Sequence, residues 1–196
     1  MADEGSDLSE LMTALGSVVV VWGMIEDITR HFLTDIALGS DADDRVDLVI
    51  ISEIPFRTQL DILKKVAYLR RSNCEWFDRL VVVLNDLSNS MHAERNRLIH
   101  DLWEANEEGQ IIKYVRGKEE ATVSKSKGEW KLKLTGERAV PVDEVEAFFE
   151  KAANCADALL ALKTEYVEWK FEAAKQNLFV DLAERVRQKG LSEDAT

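Results

Sequence analysis

The spacing of apolar residues near the amino terminus is the feature that most constrains what this chain can fold into. From residue 8 to residue 36 they recur mostly three or four positions apart, at Leu8, Leu11, Leu15, Val18, Trp22, Ile25, Phe32 and Ile36. Because an α-helix makes one turn in about 3.6 residues, this spacing places them along one face of a long helix. Val21 and Met24 add apolar surface beside that face, so we expect the helix to be covered on several sides.

Most of the remaining sequence also has helical spacing. It predicts, in order, a helix over about 55–70, one over 73–103 with a joint at 88–90, and one over 141–170 that continues more weakly over 175–189. Between the last two helices, alternating residues separated by glycines predict a small antiparallel β-meander over about residues 110–135. The predicted fold class is therefore all-α, a bundle of long antiparallel helices with this meander inserted.

Length and composition exclude several classes of protein. The 196 residues suffice for one domain, which we place over residues 1–190, with a frayed tail over 191–196. Cys74 and Cys155 have no CxxC or His/Cys spacing beside them, so we expect no metal site and no disulfide framework. The chain has no glycine-rich phosphate loop, and its amino terminus is acidic where a signal peptide is basic. We therefore expect no cofactor, no membrane segment and a cytoplasmic location.

The charge is strongly negative but unevenly distributed. The net charge is −12, whereas residues 55–138 carry 16 basic and 13 acidic side chains. A negative chain repels nucleic acid from most of its surface, so only the middle segment is predicted to accept an anion. The outer face of the second predicted helix carries basic residues, of which Lys64, Lys65, Arg70 and Arg71 are candidates for contacts with an RNA substrate; Arg57 lies on the same face. The alternative is that these residues form an ordinary solvated face.

The densest polar group lies late in the third predicted helix. His92, Asn96 and His100 are each four residues apart, so they share one side of a helix, and Arg95 and Arg97 lie beside them. The two histidines are separated by about 12 Å along the helix axis, which is too far for them to share a metal ion. No nucleophile motif accompanies them. The third histidine, His31, has no such polar neighbours and is interpreted as a structural or surface residue.

The residues Arg95-Asn96-Arg97-Leu98-Ile99-His100, followed by Trp103, resemble the signature of HEPN domains. In that family an arginine, commonly followed by asparagine, precedes a histidine by four to six positions, and bacterial members often have tryptophan three residues after the histidine. These helical bundles occur in toxin-antitoxin, abortive-infection and CRISPR-associated nucleases. The specific residues span 94–103, whereas the similarity of architecture spans about 8–170. Asp101 departs from the pattern, in which a small residue is expected, and the meander is an addition to the minimal bundle.

The resemblance implies metal-independent cleavage of RNA by attack of a ribose 2′-hydroxyl, leaving a 2′,3′-cyclic phosphate. The roles that it implies are acid or base for His100, stabilisation of the phosphorane charge for Arg95, and phosphate positioning for Asn96, with Arg97 contacting substrate. The resemblance also implies a homodimer with two motifs facing one cleft, and a possible antitoxin partner. Gly16 and Gly23, seven residues apart on the first helix, are compatible with close packing of two copies.

The geometry of the same residues leaves a second interpretation open. Positions five apart on a straight helix point about 140° away from each other, so Arg95 and His100 do not project in parallel. In a non-catalytic HEPN-like interaction or nucleotide-binding module, the cluster would form internal salt bridges. Arg95 or Arg97 would then pair with Glu94 or Asp101, and His100 with a carboxylate of the first helix such as Glu26.

Overall fold

The computed structural model describes residues 4–37, 49–100, 102–105, 111–114, 121–126, 129–134, 137–139 and 142–193, and this part of the chain is mostly helical. Its helices are, in chain order, α1 (Glu4–Ala37), α2 (Phe56–Arg71), α3 (Glu75–Asp86), a π-helical turn (Leu87–Met91), α4 (His92–His100) and α5 (Val142–Glu193). Residues 49–52 are also helical. The order and spacing of these helices agree with the predicted helical bundle at the level of fold class.

The connections around α2 follow from local backbone chemistry. The carbonyl of Pro55 accepts from the amides of Thr58 and Gln59 at 2.8 and 3.0 Å, so the helix begins directly after this proline. Proline suits this place because its fixed φ is helical and it has no amide hydrogen to satisfy. At the other end, Asn73 has a φ of 58°, a left-handed conformation that asparagine tolerates better than most residues. This allows α3 to begin soon after α2 ends.

The core is built around the inner face of α1. The residues of the apolar repeat from Leu11 onward are buried except Leu15, and α1 packs against both α2 and α4, with α3 against α2. Aromatic rings join the layers, since Phe32 of α1 meets Trp76 of α3 edge-on with ring centroids 6.3 Å apart. Leu8, by contrast, is 56% exposed. The stripe read from the sequence therefore faces the core only from Leu11 onward.

The prediction of a single inserted meander over residues 110–135 is not supported. Extended segments begin earlier and end later, at β1 (Leu102–Ala105), β2 (Ile111–Tyr114), β3 (Ala121–Ser126), β4 (Glu129–Leu134) and β5 (Glu137–Ala139). They pair antiparallel as two separate sheets, one ordered β1-β2-β5 and the other formed by β3 and β4 alone. Alternation of apolar and polar residues indicates a strand but does not identify the strand it pairs with. The pattern therefore suggested one continuous meander.

Two helix ends also differ from those predicted. The third helix was expected to reach Trp103, but α4 ends at His100 and Leu102 begins a strand. Trp103 Nε1 donates to the carbonyl of Leu98 at 3.0 Å, so a side chain satisfies one of the last carbonyls of α4. Helix α5 extends to Glu193, into the segment predicted to fray, and residues 194–196 lie outside the described residues.

The chain divides into two compact units, Met1–Leu159 and Leu160–Thr196. The boundary falls within α5, so the expectation of one domain over residues 1–190 stays a prediction. The first unit contains α1 to α4, the strands and the beginning of α5, and the candidate site lies entirely within it. The second unit consists of the remainder of α5 and the residues after it.

Helix α1 has one property that was not expected. Its segment Leu8–Ala37 is long and apolar enough to cross a membrane by length and composition. The core helix of a soluble protein passes the same test, and several large side chains of this helix are buried inside the protein, among them Trp22 and Phe32. The expected absence of a membrane segment and the cytoplasmic location therefore stay predictions.

Candidate functional site

A π-helical turn positions the candidate site. Residues Leu87–Met91 have π-helical hydrogen bonding between α3 and α4, where a joint was predicted at 88–90. A π-turn inserts one residue into an otherwise α-helical segment and is found frequently at functional sites. Its ends, Leu87 and Met91, are buried, while Asn89 and Ser90 are exposed. The extra residue changes the direction in which every side chain of α4 points relative to α3.

Asn96 connects the polar side chains of α4. Its Oδ1 accepts from Nη1 of Arg95 at 3.0 Å. Its Nδ2 lies 3.4 Å from Nδ1 of His92, and since an amide nitrogen donates, this contact requires the tautomer of His92 that carries its proton on Nε2. We refer to His92, Arg95 and Asn96 as the polar cluster. The sequence prediction included Arg95 and Asn96 in the site, and the structure brings them together.

The guanidinium of Arg95 lies over an aromatic ring of α1. Its Cζ is 5.8 Å from the ring centroid of Trp22, within the range of a cation–π contact. The indole nitrogen of Trp22 donates to Oε1 of Glu26 at 2.9 Å, which fixes the ring. Nε of Arg95 is buried and has no hydrogen-bond partner among the described residues. Arg95 is therefore held in place by an amide and a ring while part of its donor capacity remains unused.

His92 is the site residue that the sequence reasoning did not select. Its half-buried imidazole stacks on Phe56 of α2, with ring centroids 6.3 Å apart and planes inclined by 22°. The ring centroid of Trp22 is 6.1 Å away. The four-residue spacing between His92 and Asn96 was the available signal, but the family pattern gave the histidine role to His100.

His100 is the last residue of α4 and is exposed. The structure gives it no hydrogen bond or ion pair with another described residue. It lies on the same helix as Arg95, at the five-residue separation that turns the two side chains about 140° apart. The structure of one chain therefore unites Arg95 and Asn96 with His92 and leaves His100 facing outward.

The salt bridges of the non-catalytic interpretation are not formed among the described residues. Glu94 pairs with Lys151 of α5 at 3.8 Å, and Glu26 accepts from Trp22, not from His100. Asp101 lies outside the described residues. Within the described part of the chain, Arg95 has no carboxylate partner.

The predicted substrate-binding residues have different local environments. On α2, Lys64 donates to Oδ1 of Asn85 at 3.1 Å, and Lys65 pairs with Asp61. At the far end of this helix, Arg70 donates to the carbonyl of Ala37 at 3.4 Å, and Arg71 lies over the ring of Trp76. Arg97 is exposed on α4. Lys64 thus contacts the end of α3 that leads to the π-turn.

His31 lies on α1, away from the candidate site. Its Nε2 lies 3.7 Å from Oδ2 of Asp27 on the same helix, in an exposed pair. An exposed contact of this kind contributes little to stability, and His31 makes no contact with the polar cluster.

No protein-family model matches the sequence, and the comparisons with curated proteins and with solved structures found no match either. The polar cluster and its surroundings are therefore what bears on function, and the HEPN resemblance stays a prediction.

Proposed function

We propose that the chain is a metal-independent endoribonuclease with a HEPN-like helical fold, acting in the bacterial cytoplasm as a toxin or defence protein. The observation that supports this most directly is the state of Arg95. Its guanidinium is oriented by Asn96 and Trp22, lacks a carboxylate partner among the described residues and keeps a buried Nε without a partner. A cation held in this way is suited to an anionic ligand such as a phosphate.

The proposed reaction needs only groups that this chain supplies. A ribose 2′-hydroxyl attacks the adjacent phosphorus, the bond from phosphorus to the 5′-oxygen of the next nucleotide breaks, and the products are a 2′,3′-cyclic phosphate and a 5′-hydroxyl. One proton leaves the 2′-hydroxyl and one is delivered to the departing oxygen. Arg95 stabilises the charge of the phosphorane, Asn96 holds the phosphate, and His100 transfers a proton.

A second imidazole resolves the need for both an acid and a base. A single histidine is either neutral and able to act as the base, or protonated and able to act as the acid, so the reaction needs a second group for the other role. In a homodimer, a second copy supplies another His100, as the family resemblance implies. Within one chain, His92 is the imidazole that contacts Asn96 directly. We assign His100 the proton transfer and His92 the positioning of Asn96.

The homodimer that we propose is supported by the outer face of α1. Large apolar side chains there are exposed, including Met12 at 62% and Val20 at 65%. Gly16 and Gly23 lie on the same side, and a Cβ added to either would meet no atom within 4 Å. Another helix therefore has room to approach α1 closely at these two glycines.

The alternative function is a non-catalytic HEPN-like interaction or nucleotide-binding module. The net charge of −12 favours it, because a negative chain repels free RNA. His100 also favours it, since it makes no hydrogen bond with the described residues of the polar cluster. In both interpretations an antitoxin or other protein partner covers apolar surface. The two differ in whether RNA is cut.

The test is incubation of a labelled single-stranded RNA with purified protein, with and without excess EDTA, beside the His100→Ala variant. We expect cleavage to persist in EDTA, to leave 2′,3′-cyclic phosphate ends, and to spare DNA, which has no 2′-hydroxyl. Cleavage that EDTA abolishes, or equal cleavage by His100→Ala, means that α4 is not the catalyst. Absence of cleavage by the unaltered protein selects the interaction module.

A further inference from the structure

A cavity of about 220 Å³ lies between α2 and the segment formed by α3 and the π-turn. Its polar lining consists of Arg57, Asp61 and Lys64 from α2 and of Asn85 and Ser88 from the facing segment. Buried Leu60 and Leu84 complete the lining. The cavity therefore combines an apolar base with several polar groups, as binding sites for small polar ligands commonly do.

The charges in this cavity favour an anion. Asp61, the carboxylate in the lining, is paired with Lys65, so its negative charge is offset from outside the cavity. Arg57 and Lys64 have no carboxylate partner among the described residues, and Lys64 is held by the amide oxygen of Asn85 at 3.1 Å. Two cations are thus available in a chain whose net charge is −12. Such a local reversal of sign concentrates anions at one place on the surface.

Each wall of the cavity leads along the chain to the polar cluster or to a residue that contacts it. On α2, Arg57 directly follows Phe56, whose ring stacks on His92. On the facing segment, Ser88 precedes His92 by four residues, about one helical turn. The hydroxyl of Ser88 already donates to the carbonyl of Asn85 at 3.2 Å, so its oxygen is fixed at this edge of the cavity.

We propose that this cavity binds a backbone phosphate of a single-stranded RNA, next to the phosphate that the polar cluster holds. The assignment rests on the proposed function for the identity of the polyanion, and it adds Arg57, Asn85 and Ser88 to the residues that contact it. Arg57 and Lys64 supply the charge, and Ser88 and Asn85 border the phosphate. The cavity sets the path of the strand and takes no part in bond breaking.

The test measures binding separately from cleavage. The probe is a fluorescent single-stranded 2′-O-methyl RNA, which lacks the attacking hydroxyl and so stays intact, with anisotropy recorded over a series of salt concentrations. Arg57→Gln and Lys64→Gln should each raise Kd about tenfold, since each removes a charge-assisted contact. Each should also reduce the slope of log Kd against log salt by about 0.7, the loss of one contact with a single strand. Lys175→Gln, which removes an exposed charge of α5 paired with Glu172, is the matched control and should leave both quantities unchanged.

Cleavage of unmodified RNA by the same variants separates this proposal from the proposed function. If the unaltered protein cuts RNA, Arg57→Gln should raise KM by a similar factor and change kcat less than about twofold, because it contacts the strand but not the reacting atoms. Unchanged Kd and KM in both variants overturn the cavity assignment and leave the nuclease intact. Weakened binding in both variants with no cleavage by the unaltered protein supports the cavity and removes the nuclease. Failure of the unaltered protein to bind the probe overturns the cavity assignment.

Discussion

Arg95 combines two properties that are costly to maintain together. A buried nitrogen without a partner and a cation without a carboxylate both lower stability. Contacts with Trp22 and Asn96 nevertheless hold the Arg95 side chain in a position that has both properties. A purely structural arginine would gain stability by pairing with a carboxylate, but Arg95 has no such partner among the described residues, and Glu94 pairs with Lys151. The arrangement is explained if a ligand supplies the missing anion.

We therefore expect Arg95→Ala and His100→Ala each to lower the rate of RNA cleavage about 100-fold or more, as for loss of a charge-stabilising group or a general acid. The measurement is kcat on a labelled RNA, with circular dichroism to show that the fold is retained. His31→Ala is the control and should retain full activity. If His92→Ala lowers kcat as much as His100→Ala does, the proton-transfer role belongs to His92.

Cys155 provides a residue-scale test of the packing between α5 and α3. Burial raises the pKa of its thiol, the carboxylate of Asp86 raises it further, and Lys151 acts in the opposite direction. A raised pKa means less thiolate at a given pH and slower alkylation. In a Cys74→Ser background, Asp86→Asn should therefore accelerate reaction with iodoacetamide at pH 8, and Lys151→Gln should slow it. Equal rates in the two variants would show that these charges do not face the thiol.

At the scale of elements, the π-turn determines which way α4 faces. Deleting Asn89 should convert the turn to regular α-helix and rotate α4 by about 100° relative to α3. His92 then leaves Phe56, and Arg95 leaves Trp22, so cleavage of RNA should be lost while helix content by circular dichroism is kept. Asn89→Ala, which keeps the residue count, should stay active. Full activity in the deletion variant would show that the π-turn does not position the site.

Gln59 connects α2 to the turn before it. Its side chain is buried, and Nε2 donates to the carbonyls of Ile51 and Ile54 at 3.1 and 2.7 Å. Gln59→Ala removes this donor from the carbonyl of Ile54, and it leaves the carbonyl of Ile51 with the amide of Ile54 alone. We expect it to lower the free energy of unfolding by about 1–3 kcal/mol. Thr58→Ala, at the exposed neighbouring position, should change it little. Urea denaturation measures both, and equal midpoints would contradict the role given to Gln59.

The sequence predicted helices well because their apolar period extends over many turns. Trp22, Phe32 and Ile36 were assigned to the core from spacing alone, and all three are buried. The pairing of strands was not predictable in the same way, because Ile111–Tyr114 finds partners both before and after it in the chain. The role of His92 was also missed, since it depends on Phe56 of another helix.

At the scale of the whole molecule, α1 has an apolar outer face as well as an apolar inner one. We expect the protein to dimerise through it, and light scattering at micromolar concentration should return about twice the 22.2 kDa of one chain. A measured mass of 22.2 kDa would show a monomer and would contradict a site built from the motifs of two copies.

The Gly16→Leu variant is designed to block dimerisation while leaving the fold of the single chain intact. A Cβ at this position would meet no atom within 4 Å in the single chain, and the change removes a glycine from a helix interior, which should stabilise the monomer by about 0.8–1 kcal/mol. It should also block close approach of a second α1, so the mass should fall to that of one chain. Thr164→Leu, at an exposed position of α5, is the control. A dimer that persists in Gly16→Leu would place the interface elsewhere.

Trp22 is buried, whereas these glycines are exposed, and its ring lies under Arg95 while its indole nitrogen donates to Glu26. In the dimer that we propose, a shift of α1 would reach the guanidinium of Arg95 through the ring of Trp22. Thermodynamic linkage then applies, so the factor by which dimerisation changes the affinity for RNA equals the factor by which RNA changes the affinity of one copy for another. Dilution would weaken RNA binding, and RNA would hold the two copies together.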